Sequence, residues 1–315
     1  MKVTEHFKKS KKTLFSYEII PPMRGRSIDS VFKLIEQLLP YEPPFIDLTS
    51  RSAEVYYEEL EDGSLRRHAK RKRPGTIGLS AAIKNRYNIE TVPHVLCKGF
   101  TKEETEDALI ELNFLGINNI LAVQGDELRL MSPDKTGKTH NFFASDLVHQ
   151  ISNMNSGQYL EELSGASPTD FCIGVAGYPE KHLEAPNLES DLKYLKQKVE
   201  AGADYIVTQM GFDNNKYFDF VNNCQAIGIE VPIIPGIKII TRENHLKTIP
   251  RIFHIDIPKE LSEQIEGFTK EKIYQAGVDW AIKQCRELIE AKVPCIHFYI
   301  MNTAQEVAEV VSTIK

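Results

Sequence analysis

Residues 171–236 read FCIGVAGYPEKHLEAPNLESDLKYLKQKVEAGADYIVTQMGFDNNKYFDFVNNCQAIGIEVPIIPG. Three short apolar runs, at 171–176, 204–209 and 231–235, divide this stretch. The segments between them have helical patterns that end at Gly202 and Gly228, and the next apolar run follows each glycine within three residues. Strands that alternate with single helices through such short connections predict a parallel sheet.

The same alternation extends over most of the 315 residues. Further strand-like runs occupy 14–20, 45–49, 92–97, 119–124 and 295–300, which brings the total to eight. Thr101 and Glu104 form a capping box at the start of a helix that runs to Gly116. Eight such strands predict an α/β fold, a single (β/α)8 TIM barrel over residues 1–315 with long loops at its C-terminal face. An open doubly wound sheet is the rival, although the sequence contains no G-x-G-x-x-G motif.

Composition and charge exclude several classes of function. The formal net charge of −6 argues against a nucleic-acid partner, because phosphate backbones are bound mainly by a surplus of Lys and Arg. Residues 1–13 form a polar extension without the apolar core of a signal peptide, and no window resembles a membrane span, so we predict a cytoplasmic protein. The five cysteines contain no C-x-x-C pair and are predicted to be reduced core residues rather than metal ligands.

Polar residues at the ends of the predicted strands are the candidates for chemistry, since all strands of such a barrel point the same way. Glu18 is the most informative, because it lies inside an apolar run that stops at Pro21. A buried carboxylate must be paired or kept protonated, and its apolar neighbours suggest a raised pKa. A structural, salt-bridged Glu18 is the alternative. The long segments 50–90 and 127–145 follow strands and are candidate lids.

Most of these candidates also have an ordinary structural explanation. A single Thr, Gln or His at a strand end is more often a satisfied structural group. Asp126 follows a glycine and suits a turn. Asp191 and Lys198 are seven residues apart and share a helix face, which is typical of a solvated surface.

Taken together, the strand-end motifs resemble the methylenetetrahydrofolate reductase family in order and spacing, over about residues 14–304. The resemblance implies a barrel with non-covalently bound FAD that takes hydride from NADH or NADPH and reduces 5,10-methylenetetrahydrofolate to 5-methyltetrahydrofolate in a ping-pong cycle. It also implies a homo-oligomer. The motifs are Phe15 to Pro22 (FSYEIIPP), Pro93-His94, Gln124-Gly125-Asp126, Ala144-Ser145-Asp146, Ala176 to His182 (AGYPEKH), Thr208-Gln209, Ile234-Pro235-Gly236 and His297-Phe298-Tyr299.

The resemblance also assigns roles to individual residues. Glu18 matches the general acid that protonates N10 of the folate, and Asp126 matches a carboxylate whose charge stabilises the cationic iminium. Gln209 and Tyr299 match substrate-binding positions. The positions that match the flavin site are Thr49, His94, Gly125, Asp126, Phe143, Ala144, Ala176, Tyr178, His182, Asp191 and Lys198.

Several residues depart from the family pattern. Gln124 and Thr303 stand where relatives commonly have Arg, Phe143 stands where Tyr is common, and Met210-Gly211 replaces an aromatic pair. Arg66 and Arg71, in the long segment 50–90, are predicted to supply the missing positive charge for folate. Two other functions stay open: a different pterin-binding barrel enzyme such as a methyltransferase, and a non-catalytic flavin-binding homologue.

Overall fold

The computed structural model describes residues 1–50, 54–60, 62–70, 73, 75–125, 139–300 and 303–315. Eight parallel strands form a closed barrel, which confirms the predicted fold class. Each strand lies within two residues of its predicted bounds, because long apolar runs between turn residues are a strong strand signal. All strands except β3 and β4 belong to the barrel; in chain order they are β1 (Leu14–Ile19), β2 (Phe45–Leu48), β3 (Glu54–Glu59), β4 (Leu65–Lys70), β5 (Glu90–Leu96), β6 (Asn119–Val123), β7 (Cys172–Gly177), β8 (Tyr205–Gly211), β9 (Ile233–Ile237) and β10 (Cys295–Ile300).

Helices cover the outside of the barrel and bury the outward faces of its strands in the largest apolar cluster. The predicted capping box is present, since Thr101 Oγ1 accepts from the amide of Glu104 at 3.0 Å and the Glu104 carboxylate accepts from the amide of Thr101 at 2.8 Å. The helices are α1 (Val3–Lys9), α2 (Asp29–Leu38), α3 (Ile77–Tyr87), α4 (Lys102–Phe114), α5 (Ala144–Asn155), α6 (Leu188–Glu200), α7 (Asn214–Ala226), α8 (His245–Phe253), α9 (Lys259–Glu263), α10 (Lys270–Glu290) and α11 (Gln305–Ile314), with a 3₁₀ turn at Leu39–Tyr41.

The long segment 50–90 has more regular structure than the sequence analysis expected. Strands β3 and β4 pair as an antiparallel hairpin, and α3 follows them. The hairpin was missed because both strands are rich in charged residues and lack an apolar face. Arg66 lies exposed on β4. Arg71 and residues 127–138 of the second predicted lid lie outside the described residues. The predicted role of both arginines in folate binding stays a prediction.

An apolar floor closes the amino-terminal end of the barrel. Residues 1–13 are not a simple polar extension, because α1 lies across this end with Val3 fully buried and Phe7 packed on the same cluster. Each barrel strand contributes to the floor; the strand residues are Leu14, Phe45, Val92, Leu121, Cys172, Tyr205, Ile234 and Cys295. Water and ligands therefore reach the interior from the opposite, carboxyl end.

Alternation along the strands places polar residues directly above this floor. On β1 the floor residue Leu14 is followed on the same face by Ser16 and Glu18, since side chains of a strand alternate between faces. On the facing side of the barrel the ring of Tyr205 lies against Gly174. A Cβ at Gly174 would lie only 2.4 Å from that ring, so residue 174 must be a glycine for the tyrosine ring to pack there.

Neither a metal cluster nor a thiol pair lies in the part of the chain that the structure describes. All five cysteines are free and buried, which confirms that they are reduced core residues. No group of His, Cys, Asp or Glu in the described ranges could hold a metal ion. Within the same ranges, every helix is too short or too polar to cross a bilayer.

Candidate active site

Glu18 lies near the carboxyl end of β1, with its side chain 13% exposed. Thr49 follows the neighbouring strand β2, and its hydroxyl donates to Glu18 Oε1 at 2.5 Å. Two imidazoles lie on the other side of the carboxylate: the Nε2 atoms of His94 and His297 are 3.8 and 3.7 Å from Glu18 Oε2. The barrel therefore brings together Glu18, Thr49 and His94, three of the residues that the sequence analysis predicted.

A second carboxylate, Asp47, lies deeper in the barrel against the same imidazoles. Its side chain is fully buried, 3.6 Å from Nε2 of His94 and 4.0 Å from Nδ1 of His297. Neither Asp47 oxygen has a hydrogen-bond partner among the described residues. The Ser16 hydroxyl lies 2.9 Å from Nδ1 of His297 and fixes that ring.

The charges in this cluster decide the ionisation of Glu18. Burial alone would raise its pKa, but the positive charge of His94, the nearby imidazole of His297 and the hydroxyl of Thr49 together lower the pKa to about 2. Burial would lower the pKa of His94, yet Glu18 and Asp47 outweigh it and raise that pKa above its usual value. The expectation of a raised pKa for Glu18 is therefore wrong, because residues from neighbouring strands, and not its apolar chain neighbours, face the carboxylate.

Tyr299 and Gln209, the two predicted substrate-binding residues, lie at the same end of the barrel. Tyr299 pairs in register with Glu18, its ring meets His297 edge to face at 5.2 Å, and its hydroxyl donates to the carbonyl of Thr208 at 2.8 Å. Gln209 lies at a bulge of β8 and lines a narrow cleft with Tyr178. Glu18 is not among the residues that line this cleft.

A second group of predicted residues meets where β7 turns into α6. The ammonium of Lys198 donates to the carbonyl of Ala176 at 2.7 Å, and the Asp191 carboxylate accepts from the amide of His182 at 2.8 Å. The rings of Tyr178 and His182 are in edge contact at 4.5 Å. Asp191 and Lys198 are thus engaged with the backbone of the rim, and the alternative of a fully solvated helix face is wrong. Burial lowers the pKa of Lys198 to about 8.

The remaining predicted cofactor residues lie on other segments of the same rim. Ala144 begins α5, and the Asp146 carboxylate accepts from the amide of Phe143 at 3.0 Å. Gly125 follows β6 with a φ of +84°, a conformation that favours glycine, whereas Asp126 lies outside the described residues. A lysine ammonium and the amino end of a helix suit the phosphates of an anionic cofactor, and exposed aromatic rings suit its planar parts. The rim therefore fits a cofactor such as a flavin dinucleotide.

The sequence analysis did not select Asp47, His297 or Ser16 as site residues. Each is buried inside an otherwise apolar strand and lies two positions from a residue that was selected. Alternation was the available signal, because polar residues at i and i+2 of a strand share a face. Ser16 precedes Glu18, Asp47 precedes Thr49, and His297 precedes Tyr299 in this way.

The sequence is similar to known proteins over nearly its whole length. The chain matches the family model described as methylenetetrahydrofolate reductase over residues 2–315. It is 30% identical to methylenetetrahydrofolate reductase (NADH) 1 of Arabidopsis thaliana, over 96% of this chain and 49% of that protein. It is 29% identical to 5,10-methylenetetrahydrofolate reductase of Escherichia coli, over 92% of this chain and 86% of that protein. The chain therefore spans about half the length of the plant relative and most of the bacterial one.

Among solved structures, an uncharacterized protein from Clostridium thermocellum that binds two copies of 5-methyl-5,6,7,8-tetrahydrofolic acid has a similar fold. The TM-score is 0.60, and the match covers 99% of this chain and 98% of that one. Sequence identity is 13%, so this likeness supports the barrel fold alone.

Proposed function

The chain belongs to the methylenetetrahydrofolate reductase family, and from this premise we propose that it reduces 5,10-methylenetetrahydrofolate to 5-methyltetrahydrofolate at the carboxyl end of its barrel. One observation carries the proposal beyond family membership. Glu18, the residue that matches the family acid, is held by Thr49 and faces two imidazoles at the open end of the barrel. With a pKa of about 2, Glu18 is ionised at neutral pH and must take up a proton before it can act as the acid, and the two imidazoles lie beside it as the source.

The chemistry of the substrate explains the need for an acid. In 5,10-methylenetetrahydrofolate the reacting carbon is part of a closed five-membered ring, and hydride cannot add until N10 is protonated and leaves. Glu18 would deliver that proton, and the cationic iminium that results would be stabilised by nearby negative charge. Asp126 stays the predicted source of that charge. Gln209 and Tyr299 would bind the pterin through their polar side chains.

FAD would supply the hydride chemistry, since a bound flavin accepts hydride from NADH or NADPH and gives it to the folate in a second half-reaction. Lys198 would offset phosphate charge, and Asp191 would accept from a ribose hydroxyl. Thr49, His94, Ala176, Tyr178 and His182 would line the rest of the cofactor site. The cytoplasmic location, which the composition of the chain predicts, and the homo-oligomeric state, which the resemblance implies, stay predictions.

A spectroscopic titration tests the proposal. The purified protein, supplied with FAD, should show flavin absorbance, lose it when reduced nicotinamide is added anaerobically, and regain it when 5,10-methylenetetrahydrofolate follows. A protein that stays colourless would overturn the flavin assignment and favour another pterin-binding barrel enzyme. Flavin that is bound but not reoxidised by folate would instead indicate a non-catalytic homologue.

A further inference from the structure

We infer that Glu18 is the outer member of a buried proton relay, in which Asp47, His94 and His297 hold the proton that Glu18 passes to folate. We call Glu18, Asp47, His94 and His297 the buried tetrad. The inference deepens the proposed function and rests on it. Asp47 and His297 act through Glu18 and are positioning residues.

The arrangement of the buried tetrad is the first argument. Two carboxylates flank two imidazoles: Nε2 of His94 lies 3.8 Å from the Glu18 carboxylate and 3.6 Å from that of Asp47. Nε2 of His297 lies 3.7 Å from Glu18, and its Nδ1 lies 4.0 Å from Asp47. A rotation of the Glu18 side chain that shortens either of its two distances to an imidazole Nε2 by about 1 Å would bring the carboxylate within hydrogen-bond distance of that ring.

The isolation of Asp47 is the second argument. Its side chain is fully buried, and both of its oxygens lack a hydrogen-bond partner in the described ranges. An ionised carboxylate in this position costs several kcal/mol unless a positive charge lies close to it. In the described ranges the two imidazoles are the basic side chains within 4.0 Å of Asp47, and the negative charge of Asp47 helps to raise the pKa of His94.

The other titratable groups around the buried tetrad do not compete for this proton. Among the described residues they are Tyr205 on β8 and Tyr299 and Cys295 on β10. Burial raises the pKa of both tyrosines well above the usual value and that of Cys295 to about 12. All three stay neutral at pH 7, which leaves the imidazoles as the proton donors.

The proposed transfer is balanced at each step. A proton moves from an imidazole Nε2 to Glu18 Oε2 and then to N10 of the folate, whose bond to the methylene carbon breaks with the electron pair leaving on N10. The imidazole is left neutral beside Asp47. Glu18, which is the tetrad member at the open end, returns a proton from solvent once the product has left.

Asp47→Asn tests the relay, with Thr91→Val as the matched control. Thr91 is also a fully buried polar residue without a hydrogen-bond partner in the described ranges, but it lies outside the buried tetrad. In Asp47→Asn, reduction of the flavin by nicotinamide should stay within about twofold, whereas reoxidation by folate should slow about 100-fold, the range for lost acid catalysis. The pH profile of reoxidation should also move to lower pH, and Thr91→Val should change neither half-reaction.

Nitrogen-15 NMR titration of the histidines gives a readout that does not depend on activity. In Asp47→Asn the His94 imidazole should lose its proton at lower pH than in the native protein. An unchanged histidine titration, or an equal loss of both half-reactions, contradicts the relay. If Asp47→Asn does not fold, His297→Gln replaces it and should slow reoxidation selectively. A native protein without a flavin cycle would overturn the proposed function, while the histidine titration would still test the tetrad.

Discussion

Replacement of Lys238 by Met should stabilise the protein at neutral pH. Lys238 follows β9 at the carboxyl end of the barrel, is 7% exposed, and donates to the carbonyl of Tyr299 at 3.0 Å. Burial lowers its pKa from 10.5 to about 8, an effect that Glu306 opposes and Arg242 strengthens. Each tenfold change in proton affinity is worth about 1.4 kcal/mol, so the buried charge destabilises the fold by about 3 kcal/mol at pH 7.

The sign of the pH dependence follows from this lowered pKa. The unfolded chain binds a proton at Lys238 that the folded protein releases between pH 8 and 10.5, so the penalty is complete below pH 8 and disappears as the pH rises through that window. Methionine keeps the volume of the lysine stem but loses the hydrogen bond, which is worth about 1.5 kcal/mol. The net expectation is a gain of about 1 to 2 kcal/mol at pH 7.

Urea unfolding at pH 7.0 and pH 9.5 measures this effect. The advantage of Lys238→Met over the native protein should shrink by about 2 kcal/mol between the two conditions, because the native penalty is relieved at the higher pH. Exposed Lys193→Met on α6 is the matched control and should show no such dependence. Flavin content must be equal in all samples. A difference between native and Lys238→Met that is the same at both pH values would refute the reasoning.

Other substitutions test the site and the barrel separately. Glu18→Gln should still let nicotinamide reduce the flavin but should block reoxidation by folate in stopped-flow absorbance, and equal loss of both would contradict its role as the acid. The same variant should also make the free energy of unfolding less dependent on acid pH. The Glu18 pKa is about 2 in the folded protein and 4.5 in the unfolded chain, so ionised Glu18 stabilises the fold by about 3 kcal/mol. That stabilisation is fully present above pH 4.5 and is lost as the pH falls towards 2. Lys198→Met should weaken FAD binding about tenfold in a fluorescence titration, the scale of one lost charge contact; unchanged affinity would remove it from the phosphate site. Gly174→Ala should lower the free energy of unfolding by about 2 kcal/mol, because its Cβ would lie 2.4 Å from the Tyr205 ring, and an unchanged urea midpoint would contradict that packing.

The sequence predicted the barrel better than the site for a physical reason. Barrel strands are buried on both faces, so they form continuous apolar runs that stand out at any position in the chain. The ionisation of Glu18 depends instead on His94 and His297, which are 76 and 279 residues away in the chain and adjacent only in the closed barrel. Asp47 was missed because one carboxylate between Ile46 and Leu48 does not change the strand pattern.

The buried tetrad occupies one side of the barrel. Neighbouring strands β10, β1, β2 and β5 contribute all four members of the buried tetrad, whereas the opposite strands contribute Leu121, Gly174, Val207 and Ile234 at interior positions. An apolar wall screens charges much less than water does, so each ionised group on the polar side acts strongly on its neighbours. This asymmetry explains how the pKa of Glu18 can be about 2 while the pKa of the buried imidazole of His94 beside it is raised. Both imidazoles are buried, whereas Glu18 lies at the open end of the barrel. In the proposed relay, a proton on an imidazole therefore reaches the substrate through Glu18.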